Sequence, residues 1–423
     1  MTLPFFLYNT INIKIMKKTI IVFIAAFLIV LNSNEVMACT SAIITGKITP
    51  DGRPLLWKNR DTGEDNNRIQ YFRGKKYNFI ALVNSPDSTG VVWIGTNSVG
   101  FSIMNTASYN LKDDDVKEAD QEGVIMFEAL SECKTLADFE NFLKKHKKPM
   151  GVEANFGVID AEGGAAYYET NNSSFIKVDA NDPKVAPDGY LIYTNFSYTG
   201  RYNEGMGYIR YKTATEIISR ESSHMTITPA WIFNNLSRSF YHSLQGFDLL
   251  KPDQSPERFN GWVVDQDFIP RKSSTASIVV QGVRPGEDPE MTTMWTVLGY
   301  PPAGVAVPLW VKAGEKQPSV LMRSKDSQNA IACDQALRLK YKTFSLKRGN
   351  GGKYMNFNLI YNSRGTGFMQ ELKPAEELIY RLYKPSIEKW RKEGLNTDEM
   401  NELNQQSSVI IDAAYNKLTI NQF

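Results

Sequence analysis

The chain has 423 residues, 42% of them hydrophobic, and balances 48 Lys and Arg against 46 Asp and Glu. That is room for one large domain or two ordinary ones around a substantial core. The formal charge is +2, and the first 38 residues carry Lys14, Lys17, Lys18 and Glu35, so the rest is formally near zero and has no bias toward nucleic acid or a membrane surface.

In chain order, the first element is a charged start, Met16-Lys17-Lys18, then an apolar run from Thr19 to Leu31 and a polar stretch from Asn32 to Ala38. These are the three parts of a secretory signal peptide, and residues 1–15 read as an upstream extension from a misassigned start. The apolar run falls short of the roughly 20 residues needed to span a bilayer, and no later segment approaches that length. The sequence therefore predicts export, periplasmic or secreted, with no transmembrane span after residue 38. Val36 and Ala38 suit a general signal peptidase, but Val36-Met37-Ala38-Cys39 also approximates a lipobox, in which Cys39 would be lipidated as a membrane anchor. The residues after Cys39 favour the first reading, because a strand starts at once where a lipoprotein usually has a polar tether.

Cleavage after Ala38 makes Cys39 the first residue of the mature chain. One residue then carries both a thiol and a free α-amine. Reference values near 8 for the amine and 8.5 for the thiol make proton transfer between them nearly balanced, so the amine can serve as base without a histidine. Thr40 to Lys47 reads as a strand, Pro50-Asp51-Gly52 as a turn and Pro54 to Asp61 as the returning strand. Antiparallel pairing then brings Lys58, Asn59, Arg60 and Asp61 beside Cys39. A carboxylate there can hold the α-ammonium, and a cation can favour the thiolate.

This opening, Cys39-Thr40, an apolar strand, Asp51-Gly52, then Arg60-Asp61, resembles the N-terminal nucleophile hydrolases that cleave linear amide C–N bonds. Their members include choloylglycine hydrolases, penicillin acyltransferase-like enzymes, acid ceramidase relatives and cysteine dipeptidases. Asp61 falls on the final aspartate of the motif. Lys58 stands where bile salt hydrolases and dipeptidases carry arginine, a position that varies in the acyltransferase-like branch. The resemblance implies an α+β fold, a four-layer αββα sandwich, with Cys39 as nucleophile.

Val91 to Ala107 alternates apolar residues around a Thr-Asn-Ser-Val-Gly turn and predicts a hairpin; by the resemblance, Asn105 falls on an asparagine of the oxyanion hole. Gly123 to Lys145 reads as two helices, the second capped by Thr135 with Asp138 three residues on. Asn155 to Glu169 is a second hairpin turning at Ala161 to Gly164. Tyr190 to Asn195 is an apolar strand whose Thr-Asn end resembles the family's, which makes Asn195 a second oxyanion candidate, with a strand-end cap as the plain alternative. A helix follows from Gly205 to Arg220. Arg210 matches the family arginine that reaches the nucleophile, and Arg201 competes for that role.

Ser273 to Val280 and Met291 to Leu298 predict a further strand pair, and from Ser324 onward Asp326 to Lys342, Pro374 to Gly394 and Thr397 to Leu418 show helical spacing. The expected organisation is a signal peptide at 1–38, an αββα domain at 39–320 and a helical C-terminal extension at 321–423. Trp57 and Tyr71-Phe72 are candidates for the wall of an apolar acyl pocket, core packing being the alternative. Cys133 and Cys333 either pair or stay buried as thiols. His146, His224 and His242 lack metal-ligand spacing, and no phosphate loop or GxSxG elbow occurs, so no cofactor or metal is expected. The expected partner is a small-molecule amide, an N-acyl amine or amino-acid conjugate. The competing readings are a lipid-anchored binding protein and, within the enzyme class, a cysteine dipeptidase; the sequence leaves the oligomeric state open.

Overall fold

The computed structural model describes residues 38–421 except 87–89, 112–119 and 326; the signal-peptide reading lies outside the described residues, apart from Ala38. Two antiparallel sheets carry the architecture. The first has the order β10-β1-β2-β14-β15-β16, built from β1 (Thr40–Ile44), β2 (Leu55–Asp61), β10 (Tyr190–Tyr193), β14 (Ser274–Gln281), β15 (Thr293–Leu298) and β16 (Val307–Leu309). The second runs in chain order through β3 (Asn67–Phe72), β4 (Phe79–Asn84), β5 (Ile94–Asn97), β6 (Ser102–Ala107), β7 (Ala154–Ile159), β8 (Ala165–Thr170) and β9 (Phe175–Asp179). The remaining short strands form two ribbons, β11 (Tyr241–His242) with β12 (Phe247–Asp248) and β13 (Trp262–Val264) with β17 (Tyr354–Asn356).

Directly opposed residues of an antiparallel pair share a face, so the register assigns each side chain to a layer. Ser41 opposes Lys58, and the Ser41 hydroxyl meets the Tyr167 hydroxyl of β8 at 3.0 Å. That face therefore looks into the second sheet. Ala42 and Trp57, one position along, look outward. The Trp57 indole N–H donates to Ser237 and Ser277 at 3.0 and 3.1 Å. Trp57 is thus core on the face away from the second sheet and walls no pocket beside Lys58; the two-residue period of the strand decides this. Phe72 likewise stacks on Phe79 and meets Phe127 edge-on.

Helices cover both outer faces. On the second sheet, α1 (Glu122–Glu132) packs against β5 and β6, and α2 (Leu136–Lys145) sets Phe139 against Phe101, Phe156 and Tyr168. The predicted Thr135 cap is present, its side chain accepting from Asp138 N–H while the Asp138 carboxylate accepts from Thr135 N–H. On the first sheet, α3 (Tyr208–Ser222) packs on β10, α4 (Pro229–Ile232) on β14 and α5 (Ile331–Thr343) on β15. The layer order is αββα. After α6 (Phe357–Ile360), two long helices, α7 (Phe368–Glu393) and α8 (Thr397–Asn421), pack on each other.

Several boundaries differ from the expectation: β1 ends at Ile44 and gives way to a tight helical turn at Gly46–Ile48, and α3 starts at Tyr208 where Gly205 was expected. Helix α5 starts at Ile331, with Asp326 outside the described residues, and α7 starts at Phe368 with Pro374 inside it. The Gln370 side chain caps that start, accepting from Gly367 N–H at 3.1 Å. Pro374 and Pro385 both lie on the exposed face, where an interior proline costs one backbone hydrogen bond while the buried face holds the helix. Cys133 and Cys333 are buried free thiols. No described helix is long and apolar enough to cross a membrane.

Candidate active site

Cys39 sits one residue before β1, which lies between the edge strand β10 and β2 in the first sheet, and is 7% exposed. The β1–β2 register, Thr40 opposite Asn59, brings its Sγ to 3.9 Å from the Asp61 carbonyl oxygen. Strand pairing alone therefore delivers the end of β2 to the thiol.

Arg210 reaches the same place from α3. One guanidinium nitrogen donates to the Cys39 carbonyl at 2.6 Å and to the Thr40 hydroxyl at 2.7 Å, and the other donates to Asn195 Oδ1 at 2.9 Å. This needs the left-handed glycine that opens the helix: Gly207 has φ 81°, and a Cβ there would stand 2.3 Å from Arg210 Nη2. Burial pulls the Arg210 guanidinium down to about 9, and the charge of Arg271 adds to that while Asp61 opposes it. Arg201 takes no part here. It pairs with Glu204 at 2.5 Å, and its backbone N–H donates to the Asn110 carbonyl.

Lys58 lies on the face that looks into the second sheet. β5 and β6 are paired as far as Ile94 opposite Met104, and the Lys58 ammonium caps the end beyond, donating to Trp93 O at 3.0 Å and Asn105 Oδ1 at 2.7 Å. Burial lowers Lys58 to about 8, with negative charge at Cys39 and Glu122 working the other way. Because both cations only donate, they fix how the two asparagine amides point. Asn105 turns its Oδ1 to Lys58, which aims its NH2 elsewhere. Asn195 turns its Oδ1 to Arg210 and donates from Nδ2 to Ala107 O at 2.9 Å.

Asp61 is enclosed. Ser274 donates to Oδ1 at 2.5 Å, and Arg271 holds Oδ2 through Nε at 3.0 Å and Nη2 at 2.8 Å. The same Arg271 Nη2 lies 2.6 Å from the Ala38 carbonyl. Arg271 and Ser274 were not read from the sequence as site residues. They stand at the start of β14, which the sequence predicts as a strand; the missing information was that β14 pairs with β2 and places Ser274 opposite Asp61.

Glu122, at the start of α1, was missed as well. It is 5% exposed, its Oε2 is buried without a hydrogen-bond partner, and burial pushes its carboxyl up to about 7. Its charge is felt by Lys58 and by Tyr109, which also senses Cys39. Cys39, Lys58, Asp61, Asn105, Asn195 and Arg210 thus belong to one connected neighbourhood, to which Arg271, Ser274 and Glu122 are added. Such an arrangement can ionise a thiol, hold an amine beside it and offer amide donors to an attacked carbonyl.

No family model matches the chain, and no curated protein matches it. Solved structures do. One is a Caenorhabditis elegans ortholog of N-acylethanolamine-hydrolyzing acid amidase, at 11% identity over 57% of this chain and 92% of that one, TM-score 0.34. Another is a variant of conjugated bile acid hydrolase from Clostridium perfringens, at 12% identity over 62% and 89%, TM-score 0.36. A third is penicillin V acylase from Agrobacterium tumefaciens, at 11% identity over 64% and 85%, TM-score 0.32. The layers and strand order described above make a four-layer αββα sandwich; what the site does has to be argued from its own geometry.

Proposed function

We propose that this chain is the precursor of an exported cysteine amidase that hydrolyses a linear amide C–N bond through an acyl-enzyme on Cys39. The observation that carries this reading is the convergence on Cys39 of Asp61 from β2 and Arg210 from α3, with Lys58 and Asn105 alongside. After cleavage at Ala38, the α-amine of Cys39 takes the thiol proton and Sγ attacks the amide carbon. The tetrahedral oxyanion faces amide donors, with the Asn105 NH2 first among them. As the C–N bond breaks, the α-ammonium gives its proton to the leaving amine. Water then attacks the thioester with the amine again as base, releasing a carboxylic acid and restoring the thiol. Asp61 holds the amine in place throughout. The groups named lie within 39–320, and the helices after 321 support the first sheet.

A lipid-anchored binding protein remains the competitor, and the burial of Cys39 Sγ against β2 argues for the enzyme. The intact mass of the mature protein tests this directly: a free N-terminal cysteine is expected, and a lipid on Cys39 would overturn the reading. A panel of N-acyl amines, N-acyl amino acids and dipeptides, read against Cys39→Ala, then sorts hydrolase from dipeptidase.

A further inference from the structure

We propose that Arg271 is a positioning residue that acts through Asp61 to keep the α-amine of Cys39 available as a free base. The inference rests on the amidase mechanism. An amine that must accept a proton from the thiol and later return it has to be uncharged at the start of each cycle. A carboxylate holding it works against that, since an opposite charge within about 4–6 Å typically moves a group by about one to three pH units toward its charged form. Asp61 alone would lock the proton on the amine.

The geometry supplies the counterweight. Arg271 donates two nitrogens to Asp61 Oδ2, at 3.0 and 2.8 Å, so the carboxylate charge is already shared with a cation. Its Nη2 also bonds the Ala38 carbonyl at 2.6 Å, one carbonyl group away from the nitrogen of Cys39. When Cys39 begins the chain, that nitrogen is the amine, and the guanidinium stands beside it as a like charge. Ser274 fixes the arrangement, donating to Asp61 Oδ1 at 2.5 Å and accepting from Arg271 N–H at 3.1 Å. Arg271 is held by its fork and by its own backbone, with a side chain only 16% exposed.

The other charges around this pair are Arg210 and Lys58 on the thiol side, with Asp267 acting on Arg210 and Arg60 and Glu122 on Lys58, and Asp265 with Lys340 behind Arg271. Asp265 is half-buried, has an unpartnered Oδ1 and is pushed up to about 6 by burial. It therefore offsets little of the Arg271 charge in acid, where the base matters most. Arg210 is too occupied with Cys39 O and Asn195 to take over the task.

The test is the pH profile of kcat/KM for mature protein beginning at Cys39, with an amide substrate found among the N-acyl amines, N-acyl amino acids and dipeptides. In Arg271→Gln the acid limb should move up by about one pH unit. Turnover at pH 6 should then fall about tenfold, and the plateau above pH 9 should stay within about threefold of wild type. Arg271→Lys should restore the wild-type limb, and Arg271→Met carries the same expectation as the glutamine variant if that one does not fold. A uniform loss at every pH with an unmoved limb makes Arg271 merely structural and overturns the inference, as does an unchanged profile. Wild-type protein with one extra residue before Cys39 is measured alongside. Full activity there removes the α-amine from the chemistry and overturns the amidase mechanism together with this inference; lost activity there with an unmoved limb in Arg271→Gln overturns the Arg271 role alone.

Discussion

Lys58 and Asn105 meet at 2.7 Å across the gap between the two sheets, ammonium to amide oxygen. The pairing settles the direction of an amide that would otherwise be ambiguous, since an ammonium can only donate. It also joins a strand of the first sheet to a strand of the second at the level of the thiol.

If the Asn105 NH2 faces the oxyanion, Asn105→Ala should slow acylation of Cys39 by about 10²- to 10³-fold, as loss of one oxyanion donor typically does. Alkylation of the thiol by a small reagent builds no oxyanion and should stay nearly unchanged. Single-turnover acylation and alkylation rates, measured on the same preparation, separate the two; a parallel fall in both would show that Asn105 serves the nucleophile or the fold.

Asp61→Asn should lower kcat far more than it raises KM, because a neutral amide holds an ammonium poorly while substrate contacts are untouched. It also leaves the Arg271 guanidinium without its counter-charge, so about 3 kcal/mol of stability should go as well. Steady-state kinetics with a denaturant titration measures both. A raised KM at unchanged kcat would place Asp61 in substrate binding.

Glu122 makes stability depend on pH with a defined sign. Burial raises its folded value to about 7 from an ordinary 4.5, so between those values the native state binds more protons than the unfolded one. Its contribution therefore falls as pH rises through that window. Glu122→Gln should be more stable than wild type above pH 7, by about 2–3 kcal/mol, and the difference should vanish near pH 4.5. Urea midpoints at pH 4.5, 6 and 8 check it; a constant difference would rule out the titration.

Arg238 and Glu376 form a two-pronged ion pair at 2.8 and 2.6 Å, both nearly fully buried, in which Glu376 also accepts from Ala306 N–H at 2.7 Å. Arg238→Met or Glu376→Gln should each cost about 3–5 kcal/mol by stranding a buried charge or polar group, and Arg238→Met with Glu376→Leu should recover most of it. Equilibrium unfolding of the three variants decides; equal costs for single and double variants would contradict the account.

Elements with a strong local pattern were legible. The two-residue period of β1 and β2, the Asp51-Gly52 turn and the Thr135 cap each depend on neighbours within a few positions, and each lies where the sequence placed it. The sequence names Arg210 only through the resemblance and leaves Arg201 in competition, because the choice depends on how Gly207 starts a helix. Arg271, Ser274 and Glu122 were invisible for a different reason. A lone arginine, serine or glutamate carries no local signature, and only the pairing of β14 with β2 and the docking of α1 on β6 bring them to the thiol. Trp57, for which the sequence leaves both an acyl-pocket wall and core packing open, is core, because the pleat puts it on the face away from Lys58.

The partners that complete Asp61 arrive late during synthesis. Arg271 and Ser274 lie 210 and 213 residues beyond it, and Arg210 lies 171 residues beyond Cys39. Contacts so far apart form slowly and only once the intervening chain has been made. A ribosome that has released Cys39 must therefore add more than half of the protein before Asp61, proposed above to hold the α-amine, is fixed in place. For the enzyme proposed here, the assembly of these distant partners and the cut after Ala38 both have to come before the first turnover.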